Sequence, residues 1–121
     1  MELTGYKSRD TFLDVGFAAL ADPTRRALLQ RLTEGDATVS ELAEPFKMSQ
    51  PAISKHLKVL ERAGLIIRGR DAQRRPARAR METIDQLNDW LTDYRKAWEA
   101  NFNRLDTLLL EIQTASQGEG R

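Results

Sequence analysis

The sequence contains no cysteine and only one histidine. The absence of thiols excludes disulfide scaffolds, thiolate metal sites and cysteine nucleophiles, and a lone histidine leaves only carboxylates to complete a metal site. The chain also lacks a glycine-rich phosphate loop and paired carboxylates in an apolar setting, so no feature of it supports catalysis. We therefore expect a protein that is not an enzyme and that has neither a metal nor a cofactor.

Long hydrophobic runs are equally scarce. No segment is long enough to span a bilayer, and Asp14 interrupts the partly apolar start, which makes that start a poor secretory signal. A chain of 121 residues, 40% of them apolar and 31% charged, predicts one globular domain at 1–115 followed by a disordered tail at 116–121. We expect a cytoplasmic protein with no membrane partner.

The net charge is only +1, but the charges are distributed unevenly along the chain. Residues 47–80 hold ten Lys or Arg against two acidic residues, a local balance of +8. The rest of the chain holds nine Lys or Arg against sixteen acidic residues, a balance of −7. Such asymmetry predicts a surface for a polyanion and an acidic part kept away from it.

The segment 38–64 carries the end signals of two short helices joined by a turn. Thr38 and Glu41 form a capping box, and Pro45 limits the first helix to a few residues. Ser49 is the expected N-cap of the second helix, and Gly64 suits the left-handed position of a Schellman cap at its end. This pattern predicts a helix-turn-helix.

The second helix of this pair has two chemically different faces. Ile53, Leu57 and Leu60 form its buried stripe, whereas the opposite face carries amide, hydroxyl and ammonium groups. Such groups read base edges in the DNA major groove, although an ordinary solvated face carries them too. The neighbouring helix and the basic segment that follows favour nucleic acid. The helix residues predicted to contact DNA are Ser49, Gln50, Ser54, Lys55, His56 and Lys58. For His56, which lies on the flank, a packed and hydrogen-bonded role is an equally good interpretation.

After the helix-turn-helix the apolar period changes to two, which predicts a β-hairpin over 65–82. Its arginines suit DNA phosphates or the narrow minor groove. A charged edge that blocks strand addition is the plainer interpretation, and the two are compatible. The hairpin residues predicted to contact DNA are Arg70, Arg74, Arg75 and Arg78.

The helices predicted at 10–21 and 83–115 carry more apolar surface than one small domain covers. The last helix is expected to begin at a capping box of Thr83 with Gln86, and its apolar residues recur every seven positions along a rod of roughly 45 Å. A core face is the ordinary meaning of such a stripe, but association of two copies through both helices accounts for the excess. The predicted dimer-interface residues are Phe12, Phe17, Leu91, Tyr94, Trp98, Phe102, Leu105 and Leu109.

The order of these elements predicts a mainly α fold, a winged helix-turn-helix with dimerisation helices at both ends. The stretches "ALADPTRRALLQRL" and "TVSELAEPFKMSQPAISKHLKVLERAGLI", followed by a basic hairpin, closely resemble the ArsR/SmtB family of bacterial repressors. "DWLTDYRKAWEANFNRLDTLL" resembles the C-terminal helix of one subgroup. The resemblance implies a homodimer that binds an imperfect palindrome in promoter DNA and blocks transcription.

The sequence departs from the metal-sensing members of the family that it resembles. Thr38 and Ser40 stand where arsenite sensors carry thiols, and the last helix has no histidine for a zinc site. The metal response of the family is therefore not expected here, and the resemblance implies a different effector or none. The alternative function is a winged-helix module that docks an acidic protein partner.

Overall fold

The computed structural model describes the backbone of residues 2–70 and 75–119, and the side chains of residues 10–70 and 75–116. Within these ranges the elements follow in the order α1 (Glu2–Leu20), α2 (Pro23–Thr33), α3 (Val39–Ala43), α4 (Gln50–Arg62), β1 (Ile66–Arg68), β2 (Ala77–Ala79) and α5 (Met81–Glu119). This order confirms the predicted mainly α winged helix-turn-helix. The chain divides into two compact units, Met1–Leu87 and Asn88–Arg121.

The core of the first unit forms where α4 packs against α2 and α3. Ile53, Leu57 and Leu60 are each 0% exposed, which confirms the predicted buried stripe of α4. Full burial of one such side chain contributes about 1.5–3 kcal/mol, so this stripe determines how α4 lies on the body of the protein. The largest fully buried side chains are Leu28, Leu42, Ile53, Leu57, Leu60 and Leu65. Packing therefore orients the opposite, polar face of α4.

Three polar side chains define where the central helices begin. Asp22, Thr38 and Ser49 are the N-caps of α2, α3 and α4, and each accepts a hydrogen bond from a backbone N–H of the first turn. The predicted capping box is complete, because the Thr38 N–H also donates to Oε1 of Glu41 at 3.0 Å. These caps give the helix-turn-helix well-defined ends.

The end of α4 is closed by the predicted Schellman cap. Gly64 has a φ of +75°, and its N–H donates to the Glu61 carbonyl at 2.9 Å. The Leu65 N–H donates to the Leu60 carbonyl at 3.0 Å, which completes the motif. The left-handed backbone is what favours glycine here.

Replacing Gly64 by alanine should lower the free energy of unfolding by about 1–2 kcal/mol, because an L-residue is strained in the left-handed region. A Cβ at this position lies 3.6 Å from Oγ1 of Thr83, an ordinary contact, so the loss comes from the backbone and not from a clash. Urea unfolding followed by circular dichroism measures it. Gly64→Asn is the control, since asparagine tolerates this conformation and should lose less. Equal stability of the alanine variant and the unmodified protein would contradict the assignment.

The start of α5 differs from the prediction. The helix begins at Met81 and not at Thr83, so the hairpin ends earlier than residue 82, and the predicted capping box of Thr83 with Gln86 is wrong. Thr83 lies inside the first turn, 5% exposed, and its hydroxyl donates to the Gly64 carbonyl at 2.5 Å. The hydroxyl therefore donates a hydrogen bond to a carbonyl that follows α4. This hydrogen bond connects the end of α4 to the start of α5.

The hairpin is the wing of the fold, and its two strands are short. They pair antiparallel with Ile66 opposite Ala79 and Arg68 opposite Ala77. A separate bridge joins Ala37, in the loop between α2 and α3, to Ala77. The wing is therefore attached at its root to the body of the first unit. The predicted tip residue Arg74 lies outside the described residues.

The first helix is longer than its apolar pattern predicts, because it begins at Glu2 and not near residue 10. Extending an existing helix costs far less than nucleating one, so residues without an apolar stripe can continue it. Its last turn contains no basic residue. Arg25 supplies the missing donors from α2, with Nε 2.7 Å from the Ala19 carbonyl and Nη2 3.2 Å from the Ala18 carbonyl. Arg26 Nη1 lies 2.8 Å from the Leu20 carbonyl.

The second unit consists of the distal part of α5. The whole helix has 39 residues. It continues to Glu119, four residues beyond the predicted end at 115. The described α5 is therefore even longer than its heptad pattern predicts.

Candidate nucleic-acid interface

The polar face of α4 is presented to solvent. Gln50, Ser54, Lys55 and Lys58 are all exposed, whereas Ile53, Leu57 and Leu60 of the same helix are buried. Ser49, at the N-cap, is also exposed, and its Oγ accepts the Ala52 N–H at 3.2 Å, which leaves its own hydroxyl proton available to a phosphate. The structure thus brings five of the six predicted helix residues together on one accessible surface, which we call the α4 face (Ser49, Gln50, Ser54, Lys55 and Lys58).

His56 occupies a different environment from the α4 face. It is half-buried, and its charge is one of those that lower the pKa of Asp22; the largest cause of that lowering is the hydrogen bond from the Arg25 backbone N–H. A carboxylate with a lowered pKa stabilises the fold above its unfolded-state pKa and loses that contribution as the pH falls through its folded-state pKa. The proximity to an N-cap carboxylate suits the alternative interpretation of His56 as a packed residue on the flank of α4.

Three of the wing arginines, Arg68, Arg70 and Arg75, differ in their exposure. Arg70 and Arg75 are exposed, as a contact with DNA phosphates requires. Arg68 is half-buried, and its Nε donates to the Arg75 carbonyl at 3.1 Å. Burial and then the charge of Arg75 lower the pKa of Arg68. Arg68 therefore supports the shape of the wing, whereas Arg70 and Arg75 supply accessible charge.

Arg78 is exposed but is engaged by a carboxylate. Its Nη2 lies 3.3 Å from Oδ2 of Asp36, and its Nε lies 3.3 Å from both carboxylate oxygens. The hydrogen bond and the charge of Asp36 raise the pKa of Arg78. Sequence reasoning missed this pair because the two residues are 42 positions apart and share no motif.

The distal part of α5 exposes a continuous apolar face. We call it the α5 stripe (Leu91, Tyr94, Trp98, Phe102, Leu105 and Leu109), and each of its side chains is 48–56% exposed. The rings of Tyr94 and Trp98 meet edge to face at 6.2 Å, and those of Trp98 and Phe102 lie 5.9 Å apart. Apolar side chains this exposed along one helix face mark an interaction surface.

The first helix offers less unpartnered surface than the α5 stripe. Phe12 and Phe17, predicted at the dimer interface, are both half-buried and pack against the core of their own chain. Val15 is the exposed large apolar residue among the described side chains of α1, at 40%. The structure therefore assigns most of the unburied apolar area to α5.

Neither a metal centre nor a membrane-spanning helix is found among the described residues. No group of three or more histidine, aspartate or glutamate side chains among them converges as a metal site requires. None of the helices within residues 2–70 and 75–119 combines the length and the apolar content that crossing a bilayer needs.

A helix-turn-helix with a polar, accessible second helix and a basic wing beside it defines the winged helix-turn-helix class of DNA-binding proteins. The sequence profile described as "Bacterial regulatory protein, arsR family" matches residues 22–68. Together with the longer similarities given next, this match shows that the chain belongs to the arsR family of bacterial regulatory proteins.

Three similar proteins illustrate the relationship. The HTH-type transcriptional regulator Rv2034 of Mycobacterium tuberculosis is 51% identical over 53 residues, which cover 44% of this chain and 50% of that protein. The arsenical resistance operon repressor of Staphylococcus xylosus is 31% identical over 83 residues, 69% of this chain and 76% of that protein. The crystal structure of the ArsR family transcriptional regulator RHA00566 is 43% identical with a TM-score of 0.68, over 73% of this chain and 97% of that one.

The chain thus spans about half the length of Rv2034, while it covers nearly all of RHA00566. The family and these relatives are transcriptional regulators and not enzymes. Family membership therefore places this chain among bacterial regulatory proteins.

Proposed function

We propose that the protein is a homodimeric, sequence-specific repressor that acts in the cytoplasm on a palindromic operator in promoter DNA. The observation that carries this proposal is the α4 face, a set of exposed amide, hydroxyl and ammonium groups on a helix whose other side is locked in the core. An α-helix fits the major groove, where such groups distinguish the four base pairs.

Each part of the interface has a distinct role in this proposal. Gln50 pairs bidentately with an adenine, while Lys55 and Lys58 contact guanine or phosphate. Arg70 and Arg75 contact the DNA backbone or the minor groove and supply affinity that is independent of sequence. In this proposal α4 distinguishes between DNA sequences, and the wing adds binding affinity and fixes the position of the protein on the duplex.

Two copies of the chain are joined through the α5 stripe, with α1 contributing at the side. A two-fold interface uses the same surface on both chains, so one self-complementary apolar face is sufficient. In such a dimer the two α4 helices enter successive major grooves, about 34–36 Å apart on one side of the duplex. A palindromic operator follows from that symmetry.

The proposed function does not include the metal sensing that the name of one relative indicates. The Staphylococcus xylosus protein is described as a repressor of an arsenical resistance operon. Arsenite and soft metals are held by thiolates, and this chain has no cysteine. We propose a repressor whose effector, if one exists, is bound by other chemistry.

The proposal is tested by exchanging one residue on each part of the interface. The operator is first identified by selecting bound sites from random duplex DNA. Gln50→Ala should weaken the binding free energy for that operator by about 1–3 kcal/mol and should relax specificity at one base pair. Arg75→Ala should weaken binding to all duplexes similarly and reduce the slope of log affinity against log salt by about 0.9. Fluorescence anisotropy titrations at several salt concentrations measure both quantities.

The two variants serve as controls for each other, because one changes discrimination and the other changes the salt slope. If neither variant alters binding, the assignment of helix and wing is wrong. If the unmodified protein binds no duplex but captures an acidic protein, the winged-helix docking module is the correct function.

A further inference from the structure

A carboxylate outside the proposed DNA contacts holds one of the wing cations. Ala37 and Ala77 exchange two backbone hydrogen bonds, with the Ala37 N–H 3.1 Å from the Ala77 carbonyl and the reverse bond at 2.7 Å. In an antiparallel bridge the next opposed pair is one residue back on one strand and one forward on the other. Asp36 and Arg78 are that pair, so the backbone itself brings them together.

The contact with Asp36 uses only part of the Arg78 guanidinium. Nε and Nη2 donate to the carboxylate at 3.3 Å, which leaves the Nη1 donors and one on Nη2 unused by it. The side chain of Arg78 is 69% exposed and that of Asp36 is 44% exposed. A phosphate can therefore reach the guanidinium while the carboxylate is still attached, or can replace the carboxylate.

We propose that Asp36 masks Arg78 and thereby lowers the affinity of the protein for every duplex, whatever its sequence. The inference rests on the proposed function and adds to it the contact with DNA that the sequence predicts for Arg78. When a cation that is already paired with a carboxylate binds DNA, fewer counterions leave the DNA. Such a cation therefore adds less to affinity than an unpaired cation does. Exposed ion pairs are weak, so a DNA phosphate can compete with Asp36. Asp36 thus sets the salt range over which the wing releases DNA.

A double-mutant cycle tests the masking. Asp36→Asn keeps the shape of the side chain and removes its charge, and it should tighten binding about three- to tenfold at roughly 0.1 M salt, on the selected operator and on a scrambled duplex alike. The slope of log affinity against log salt should steepen by about 0.9. In an Arg78→Gln background the same exchange should change affinity by less than about twofold, because no masked cation remains.

Glu34→Gln is the matched control, since it removes the same charge from the same loop two residues earlier. Its effect on affinity should be smaller and should be the same with and without Arg78→Gln. Thermal unfolding of each variant shows whether the wing root remains folded, and an exposed pair should contribute little to the midpoint.

Two results overturn the masking. An equal gain from Asp36→Asn in both backgrounds shows that the carboxylate acts only through the general field of the protein. A loss of affinity shows that the carboxylate holds Arg78 in place for DNA and does not mask it. In either case the proposed function stands as long as the unmodified protein binds duplex DNA through the α4 face. If it binds no duplex, both the proposed function and this inference fail.

Discussion

Replacing Trp98 by aspartate should convert the proposed dimer into a monomer. The indole is half exposed in the single chain and lies at the middle of the α5 stripe, so a partner helix would cover it. Aromatic residues at the centre of an interface carry much of its binding energy, and a buried unpaired carboxylate adds a desolvation cost. We expect a loss of about 3–5 kcal/mol, that is roughly two to four orders of magnitude in the dimer dissociation constant.

Sedimentation velocity over a range of protein concentrations measures this change. Ala100→Asp is the matched control, because it places the same charge on the same helix about 200° away from Trp98 and should leave the dimer intact. The monomer should also lose most of its affinity for the operator, since the second half-site then binds independently. A Trp98→Asp protein that stays dimeric would remove the α5 stripe from the interface.

The substitution Lys55→Glu, which reverses the charge of this side chain, should greatly weaken DNA binding. Lys55 is an exposed member of the α4 face, where glutamate replaces an attractive contact by repulsion from the phosphates. We expect a loss of about two orders of magnitude in affinity at roughly 0.1 M salt, with a flatter salt dependence. The buried stripe of α4 is untouched, so unfolding should change little.

Lys96→Glu makes the same change in α5, outside both the α4 face and the α5 stripe, and should leave DNA affinity within a few fold of the original. Anisotropy titrations of both variants on the operator give the comparison. Equal losses in the two variants would mean that the overall charge, and not the α4 face, governs binding.

Much of the helix-turn-helix was predictable because its signals are local. A capping box such as that of Thr38 and Glu41 acts within four residues, and a stripe such as Ile53, Leu57 and Leu60 follows from helical geometry alone. The left-handed cap at Gly64 is also a local signal, because it depends on a glycine directly after the helix. The α4 face follows from these signals, because it is what the stripe leaves outside.

The features that sequence reasoning missed depend on contacts between distant residues. The pairing of Asp36 with Arg78 requires the register of the Ala37–Ala77 bridge, which no motif encodes. Thr83 reads as a helix cap, yet the fold uses its hydroxyl for the Gly64 carbonyl, 19 residues away. Tertiary contacts decided the outcome at each of these positions.

The backbone carbonyls at the end of α1 show the same limitation. They receive their hydrogen-bond donors from Arg25 and Arg26, which look like ordinary surface residues of α2 in the sequence.

The buried Gly16 of α1 is another feature that the sequence does not reveal, because a Cβ there would lie only 3.1 Å from a methyl carbon of Leu87. Close approach of two helices is a property of the packed structure, and the helical pattern of either one does not contain it.

The symmetry of the DNA site tests the central claim most directly. Purified protein should enrich, from a pool of random duplexes, an inverted repeat whose half-sites are about 10–10.5 base pairs apart, centre to centre, with two chains bound per duplex. Enrichment of a single undivided site by one chain, or no enrichment over the starting pool, would contradict a dimer that reads DNA with paired α4 helices.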